Sequence, residues 1–441
     1  MEWLTKTAAE QGRAIGSGDL DPVELTEAYL AAAAAHPLAE RIYARMTEAR
    51  AKAEAEAARG RARSGHRLGP LDGVPISWKD LFDTAGVATE SGSALLEGRV
   101  PNADAEVLVT ATAQGLVCLG KTHMSELAFS GLGLNPSTAS SPNIHNPGHI
   151  SGGSSSGAAA SVAHGLAPAA IGSDTGGSVR IPSAWNDLVG LKTTAGRVSL
   201  KGTVPLCKKF DTVGPLVRSV EDAALLLAAL EGTEAVDLEG ASLSGIRLLV
   251  LETIAFDGIE DAPRAGFESA VERLVAAGVQ IDRGPVAAVG EAMSLTSLVY
   301  SPEAYALWKD VIEAAPEKMF HEVLERFRSG ADVLAADYVA AWDRLDALRD
   351  IFHAATAEYD AVILPTCPIL PPEIARLESD HDYYVARNLL TLRNTRIGNL
   401  MGSAALTLPT GTPSCGFMMV GPPMSEERLL RLGAAAERAL A

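Results

Sequence analysis

GSDTGGSVR, residues 172–180, follows a strand-like run, PAAI, and sets Ser178 straight after two glycines. Glycines allow positive φ and let a backbone approach a reacting group closely. A row of N–H groups from Thr175 to Ser178 would form an anion-binding concavity beside a hydroxyl nucleophile. The same residues would also serve a tight structural turn. Upstream lies a second serine cluster between glycines, SGGSSSG (151–157), whose Ser154 is 24 positions before Ser178.

Two other motif strings fail on context. GLVCLGKT (115–122) matches a phosphate loop, which needs an apolar strand before its first glycine and a helix at its Lys-Thr. Here the apolar run LVCL falls inside the loop, so the segment reads as a buried strand followed by a polar loop. GSSSG (153–157) matches the nucleophile elbow G-x-S-x-G, but NPGHI before it is a poor strand. The elbow also needs a downstream acid and histidine, and none of His164, His321, His353 and His381 has a distinguishing context.

A serine nucleophile needs a base. Histidine is usual, but a lysine serves if burial or neighbouring positive charge holds it neutral. GPLDGVPISWKD (69–80) combines turn signals with a short apolar run ending in Lys79, in a chain of only ten lysines. Lys79 taken alone could equally be a snorkelling surface lysine.

The 441 residues are 47% apolar and 21% charged, which describes a globular chain with ample core material. The net charge of −18 argues against a nucleic-acid partner, because phosphate binding wants clustered Lys and Arg. Arg59, Arg61, Arg63 and Arg67 read as solvated surface. Cys118, Cys207, Cys367 and Cys415 are scattered with no metal-ligand spacing, which fits reduced, buried thiols in a cytoplasmic protein. MEWLTKTAAEQG has no secretory pattern, and no apolar run approaches the ~18–20 residues that span a membrane.

Helix patterns at 21–35, 45–63, 103–114, 158–165 and 261–278 alternate with strand patterns at VPIS, 116–120, PAAIGSD, 246–252, VQIDRG, 361–366 and 404–411. Asp21, Pro22 and Glu24 form a capping-box-like start. This alternation predicts an α/β fold: a large mixed, mostly parallel sheet with helices on both faces. Residues 290–358 read as almost wholly helical, a candidate subdomain or cap over a site, and no linker divides the chain.

Together these residues resemble the amidase signature family. GVPISWKD (73–80), GGSSSG (152–157) and GSDTGGSVRIPSAWNDLVGLKTTAGRVS (172–199) are similar to its motifs, with the expected spacings of 75 from Lys79 to Ser154 and 24 to Ser178. The similarity continues through FDTVGPLVRSVEDAALLL (210–227) and, more weakly, DAVILPTCP (360–368) and GSAALTLPTG (402–411). The resemblance implies one domain over 1–441 with a catalytic core at about 65–230. It implies a Ser–Ser–Lys triad: Ser178 the acyl-forming nucleophile, Ser154 the relay after a cis peptide bond, Lys79 the neutral base. It implies an oxyanion hole from the amides of Thr175, Gly176, Gly177 and Ser178, and no metal or cofactor. Phe129, Ser130 and Gly131, in FSGLGLN (129–135), fall where relatives line the acyl pocket.

The expected activity is hydrolysis of the C–N bond of a small or aromatic amide through a seryl acyl-enzyme, extending to esters or carbamates. The alternative is the glutaminase (A) subunit of a tRNA-dependent amidotransferase, which would need partner subunits. No membrane partner is expected, and a homodimer would suit the family. The chain departs from the family at Trp185–Asp187, where a Cys is frequent, and at Thr193 and Ala195, where Pro and an aromatic are usual. The segment 410–421 also lacks most of a loop before the last strand. These departures bear on the pocket wall rather than the triad.

Overall fold

The computed structural model describes residues 2–441. Its backbone is one 11-stranded sheet: β1 (Tyr43–Met46), β2 (Pro75–Lys79), β3 (Val117–Thr122), β4 (Ala169–Asp174), β5 (Val189–Lys192), β6 (Thr212–Val217), β7 (Arg247–Leu251), β8 (Gln280–Gly284), β9 (Ala361–Pro365), β10 (Ala404–Pro409) and β11 (Gly416–Gly421). The spatial order is β1-β3-β2-β4-β6-β5-β10-β11-β9-β7-β8. Every residue of β2 to β6 is buried. Successive side chains point to opposite faces, so the sheet is covered on both sides.

The sheet is mixed, as expected, but its balance differs from the expectation. Parallel pairing is confined to β3-β2-β4 and β9-β7-β8, while the six remaining pairings are antiparallel. The antiparallel centre is built largely from β5, β6 and β11, which carry no clean strand signature. β6 contains Gly214 and Pro215, residues that ordinarily argue against a strand. Gly214 is there because the backbones meet closely: a Cβ would lie 2.0 Å from the Leu191 carbonyl oxygen.

Most helices lie where the periodicity placed them. Asp21 caps the helix Pro22–Ala35 by accepting from the Val23 amide at 2.8 Å, without a reciprocal bond from Glu24. The 45–63 pattern begins late, at Glu48, because Tyr43–Met46 is recruited to the sheet edge. The block 290–358 is helical, with the long helix Ala335–Thr356 at its end. Tyr300 and Trp342 from this block stack on Phe210 at 4.1 and 5.0 Å between ring centres. Among the described residues, no helix is long and apolar enough to cross a membrane, and all four cysteines are buried and unpaired.

The parallel neighbours β2 and β4 decide where the chemistry can sit. Ser77 pairs with Ala170 and Trp78 with Ile171, so both strands end side by side. Lys79 closes β2, and β4 runs directly into the turn carrying Gly176, Gly177 and Ser178. The carboxyl ends of parallel strands are where open α/β sheets present their sites.

Candidate active site

Lys79 is fully buried, and its Nζ lies 2.7 Å from Ser154 Oγ and 2.8 Å from Ser173 Oγ. Burial pulls the amine down to about 7, against the charges of Asp174 and Asp211, which raise it. A lysine so placed is largely neutral near pH 7.5, and a neutral amine has a lone pair to offer. Lys192 is pulled by burial to about 7 as well, yet its Nζ donates to the Thr193 and Ser403 carbonyls at 2.9 and 2.7 Å. What distinguishes Lys79 is its two hydroxyl partners.

Ser154 follows a cis Gly153–Ser154 peptide bond and is also fully buried. Ser155, the middle serine of the elbow-like string, is turned away. Its hydroxyl bonds the Ser173 carbonyl at 3.2 Å, and its amide donates to the Ser178 carbonyl at 3.3 Å. The phosphate-loop string likewise dissolves: its Lys121 lies on β3, buried, 3.0 Å from Asp80 and 2.8 Å from Thr89 Oγ1.

Ser178 is 4% exposed, and among the described residues its hydroxyl makes no hydrogen bond within the protein. The link from Ser154 Oγ to Ser178 Oγ is therefore open in the resting geometry. Catalytic hydrogen bonds in ligand-free sites are frequently long and close only around substrate.

A buried carboxylate shapes the glycine turn. Asp174 accepts from the amides of Gly177 and Val179 at 2.8 and 3.1 Å, from Arg180 Nε and Nη2 at 3.0 and 2.9 Å, and from Asn399 Nδ2 at 2.9 Å. Burial alone would raise Asp174, but the charge and hydrogen bonds of Arg180, with help from Lys192 and Asn399, carry it well below the usual carboxylate range. Gly177 has φ +141, and a Cβ there would sit 2.1 Å from Thr395 Oγ1, so no other residue fits. Thr175 is held from its other side, its Oγ1 donating to Asp211 at 2.6 Å.

This arrangement alters the expected set of oxyanion donors. The Gly177 amide is engaged by Asp174. Those of Thr175, Gly176 and Ser178 have no protein partner among the described residues.

Ser178, Thr175 and Gly176 line a narrow pocket of about 20 Å³, whose wall includes Phe129 and Ser130. A wider cavity of about 620 Å³ lies beside it and shares Phe129, Tyr300, Arg326 and Arg396 with it. A larger cavity of about 850 Å³, by the helix Pro22–Ala35 and β1, shares no residue with either. Gly131 lines neither site cavity: its amide donates to Asn388 Oδ1 at 2.9 Å and its carbonyl accepts from Gly153 at 2.8 Å. Sequence reasoning missed Asp174, Ser173, Arg326 and Arg396. Only Asp174 left a signal, as an acid facing Arg180 across the Gly-Gly-Ser turn.

A family model for Amidase matches residues 24–430. The 2-amino-5-chloromuconic acid deaminase of Comamonas testosteroni is 35% identical over 400 residues, covering 87% of this chain and 85% of that protein. The A subunit of a glutamyl-tRNA(Gln) amidotransferase from Chloroflexus aurantiacus is 31% identical, covering 99% and 97%. The crystal structure of an amidase superposes with a TM-score of 0.88 at 30% identity, covering 99% of this chain and 100% of that one. The chain belongs to the Amidase family, hydrolases of carbon–nitrogen bonds.

Proposed function

We propose that this protein is a stand-alone amidohydrolase that cleaves a small amide through an acyl-enzyme on Ser178. The observation that carries the reading is the buried contact of 2.7 Å between Lys79 Nζ and Ser154 Oγ, beside a cavity-lining Ser178 hydroxyl without a protein partner.

In this reading Ser178 Oγ attacks the substrate carbonyl. Its proton passes to Ser154, whose own proton passes to the neutral Lys79. The amides of Thr175, Gly176 and Ser178 hold the tetrahedral oxyanion, while Asp174 fixes the turn through Gly177. Losing one such donor typically costs about 3 kcal/mol of transition-state stabilisation. The proton returns through Ser154 to the departing nitrogen, which must leave as an amine because an amide anion is too poor a leaving group. Water then enters, is deprotonated by the same relay and releases the acid. Phe129 walls the acyl pocket, and the helices from Ala287 to Arg328 cover it through Tyr300 and Arg326.

A second reading, the glutaminase component of a tRNA-dependent amidotransferase, is favoured by the whole-chain similarity to the Chloroflexus protein. Against it, neither site cavity is lined by an Asp or Glu that could receive the ammonium group of free glutamine. A turnover screen over amides, ureas, carbamates, esters and glutamine, measuring ammonia and free amine separately, tests the choice. Hydrolysis of simple amides without glutamine turnover supports the first reading, and the reverse pattern supports the second. Either activity should vanish in Ser178→Ala.

A further inference from the structure

Arg396 lies on the helix His381–Leu400 and is 6% exposed. Alone among the described arginines, it donates no hydrogen bond within the protein and joins no ion pair. The others pair with carboxylates, as Arg180 does with Asp174, or donate to backbone carbonyls, as Arg218 does to Val162. Its guanidinium lies 5.8 Å from the centre of the Tyr300 ring, but no anion or hydrogen-bond acceptor among the described residues meets its charge, which is costly at low exposure. Arg396 also stands beside the reacting turn: its Nε would be 3.9 Å from a Cβ built on Gly176.

A second arginine faces the same space. Arg326 donates to the Phe129 carbonyl at 3.1 Å and lies over the Phe129 ring, 4.4 Å from its centre. These contacts fix its guanidinium plane and leave further N–H groups free. It has no carboxylate partner among the described residues either. Both arginines line the narrow pocket at Ser178 and the wider cavity next to it. No Asp or Glu lines either space, so the site is a positive pocket in a chain of net charge −18.

Burial lowers Arg396, and burial together with the neighbouring charge of Arg396 pulls Arg326 down to about 9. Guanidinium nevertheless stays charged at neutral pH. Two mutually repelling cations thus face the same cavity.

We propose that Arg326 and Arg396 bind a carboxylate of the substrate, so that the amides this enzyme hydrolyses are acidic ones, anionic rather than zwitterionic. The planar fork of arginine matches a carboxylate in two parallel hydrogen bonds. The proximity of Arg396 to Gly176 sets that carboxylate close to the scissile carbonyl. The inference rests on the reading of Ser178 as nucleophile, and its test separates the two.

The probe is a fluorophosphonate that labels the active serine, challenged with succinate, glutarate or adipate and, in parallel, with the matching neutral diamides. At least one dicarboxylate should slow labelling of the wild-type protein, and its diamide should do so about 10- to 100-fold more weakly, the range expected for hydrogen bonds to charged groups. Arg396→Gln should abolish this selective protection. Arg396→Lys, which keeps the charge but not the fork, should retain part of it, which a merely structural defect would not do. Thermal unfolding of each variant checks that it is folded. Labelling at Ser178 that no dicarboxylate slows, or protection that survives Arg396→Gln, would overturn the carboxylate site alone. Failure of wild-type Ser178 to label would sink the proposed function itself.

Discussion

Lys79 offers the sharpest perturbation, because its environment sets a number. An ordinary lysine near 10.5 is neutral in roughly one molecule per thousand at pH 7.5, whereas one at about 7 is neutral in roughly three of four. The difference corresponds to about 5 kcal/mol of desolvation and local field acting on the charged form. Reactivity of Ser178 towards a fluorophosphonate should therefore be level above pH 8 and fall about tenfold per unit well below pH 7. This probe needs no protonated leaving nitrogen, so it reports the base alone. In Lys79→Ala the acid limb should disappear, and the rate at pH 8 should drop by about two to four orders of magnitude. Stability supplies a second readout. The folded pKa is depressed, so between about 7 and 10.5 the unfolded chain binds a proton that the folded one refuses, and stability rises with pH in that window. Relative to Lys79→Met, the wild type should carry an extra slope of about 1.4 kcal/mol per pH unit there. Lys192 contributes equally to both proteins and cancels. A wild-type rate without a limb near 7, or a limb that persists in Lys79→Ala, would refute the assignment of Lys79 as the base.

Three further perturbations follow from the geometry. Asp174→Asn leaves the buried Arg180 without its counter-charge and should cost about 3–5 kcal/mol in denaturant unfolding, with activity falling further because one acceptor oxygen must serve where two met the Gly177 and Val179 amides and Arg180. Gly177→Ala forces a Cβ against Thr395 and demands a positive φ, so turnover should be lost and the melting temperature should drop. Ser173→Ala removes one of the two acceptors of Lys79, which favours the neutral amine. Its acid limb should therefore shift about one unit to lower pH, and an unmoved limb would show that Ser173 does not tune the base.

How much of this was visible in the sequence depends on whether a residue's job leaves a local pattern. The apolar run before Lys79 announced a buried strand, and the run before Ser178 announced another, but that the two pair side by side was not legible from either run. The fold class was legible through the alternation of helix and strand signals. The antiparallel centre was not, because β6 needs Gly214 for backbone clearance and so lacks the side chains that mark a strand. Lys121 shows the converse, a motif-like lysine that the structure spends on a buried pair with Asp80. The use of the Gly177 amide by Asp174 depends on which way one peptide plane faces, and no residue type encodes that. Arg396 was invisible because an arginine in a polar helix that also carries Arg387 and Arg393 reads as surface. Only the burial of its helix face, with no acid opposite, gives it meaning.

The most direct measurement is tandem mass spectrometry of the enzyme quenched during turnover of an amide, locating any acyl group within the tryptic segment that carries Ser154, Ser155 and Ser178. An acyl adduct on Ser178, absent in Ser178→Ala and accumulating in a variant with slowed deacylation, is the expected result. An adduct on Ser155 or Ser154, or undiminished hydrolysis by Ser178→Ala, would contradict the assignment of Ser178 as the nucleophile.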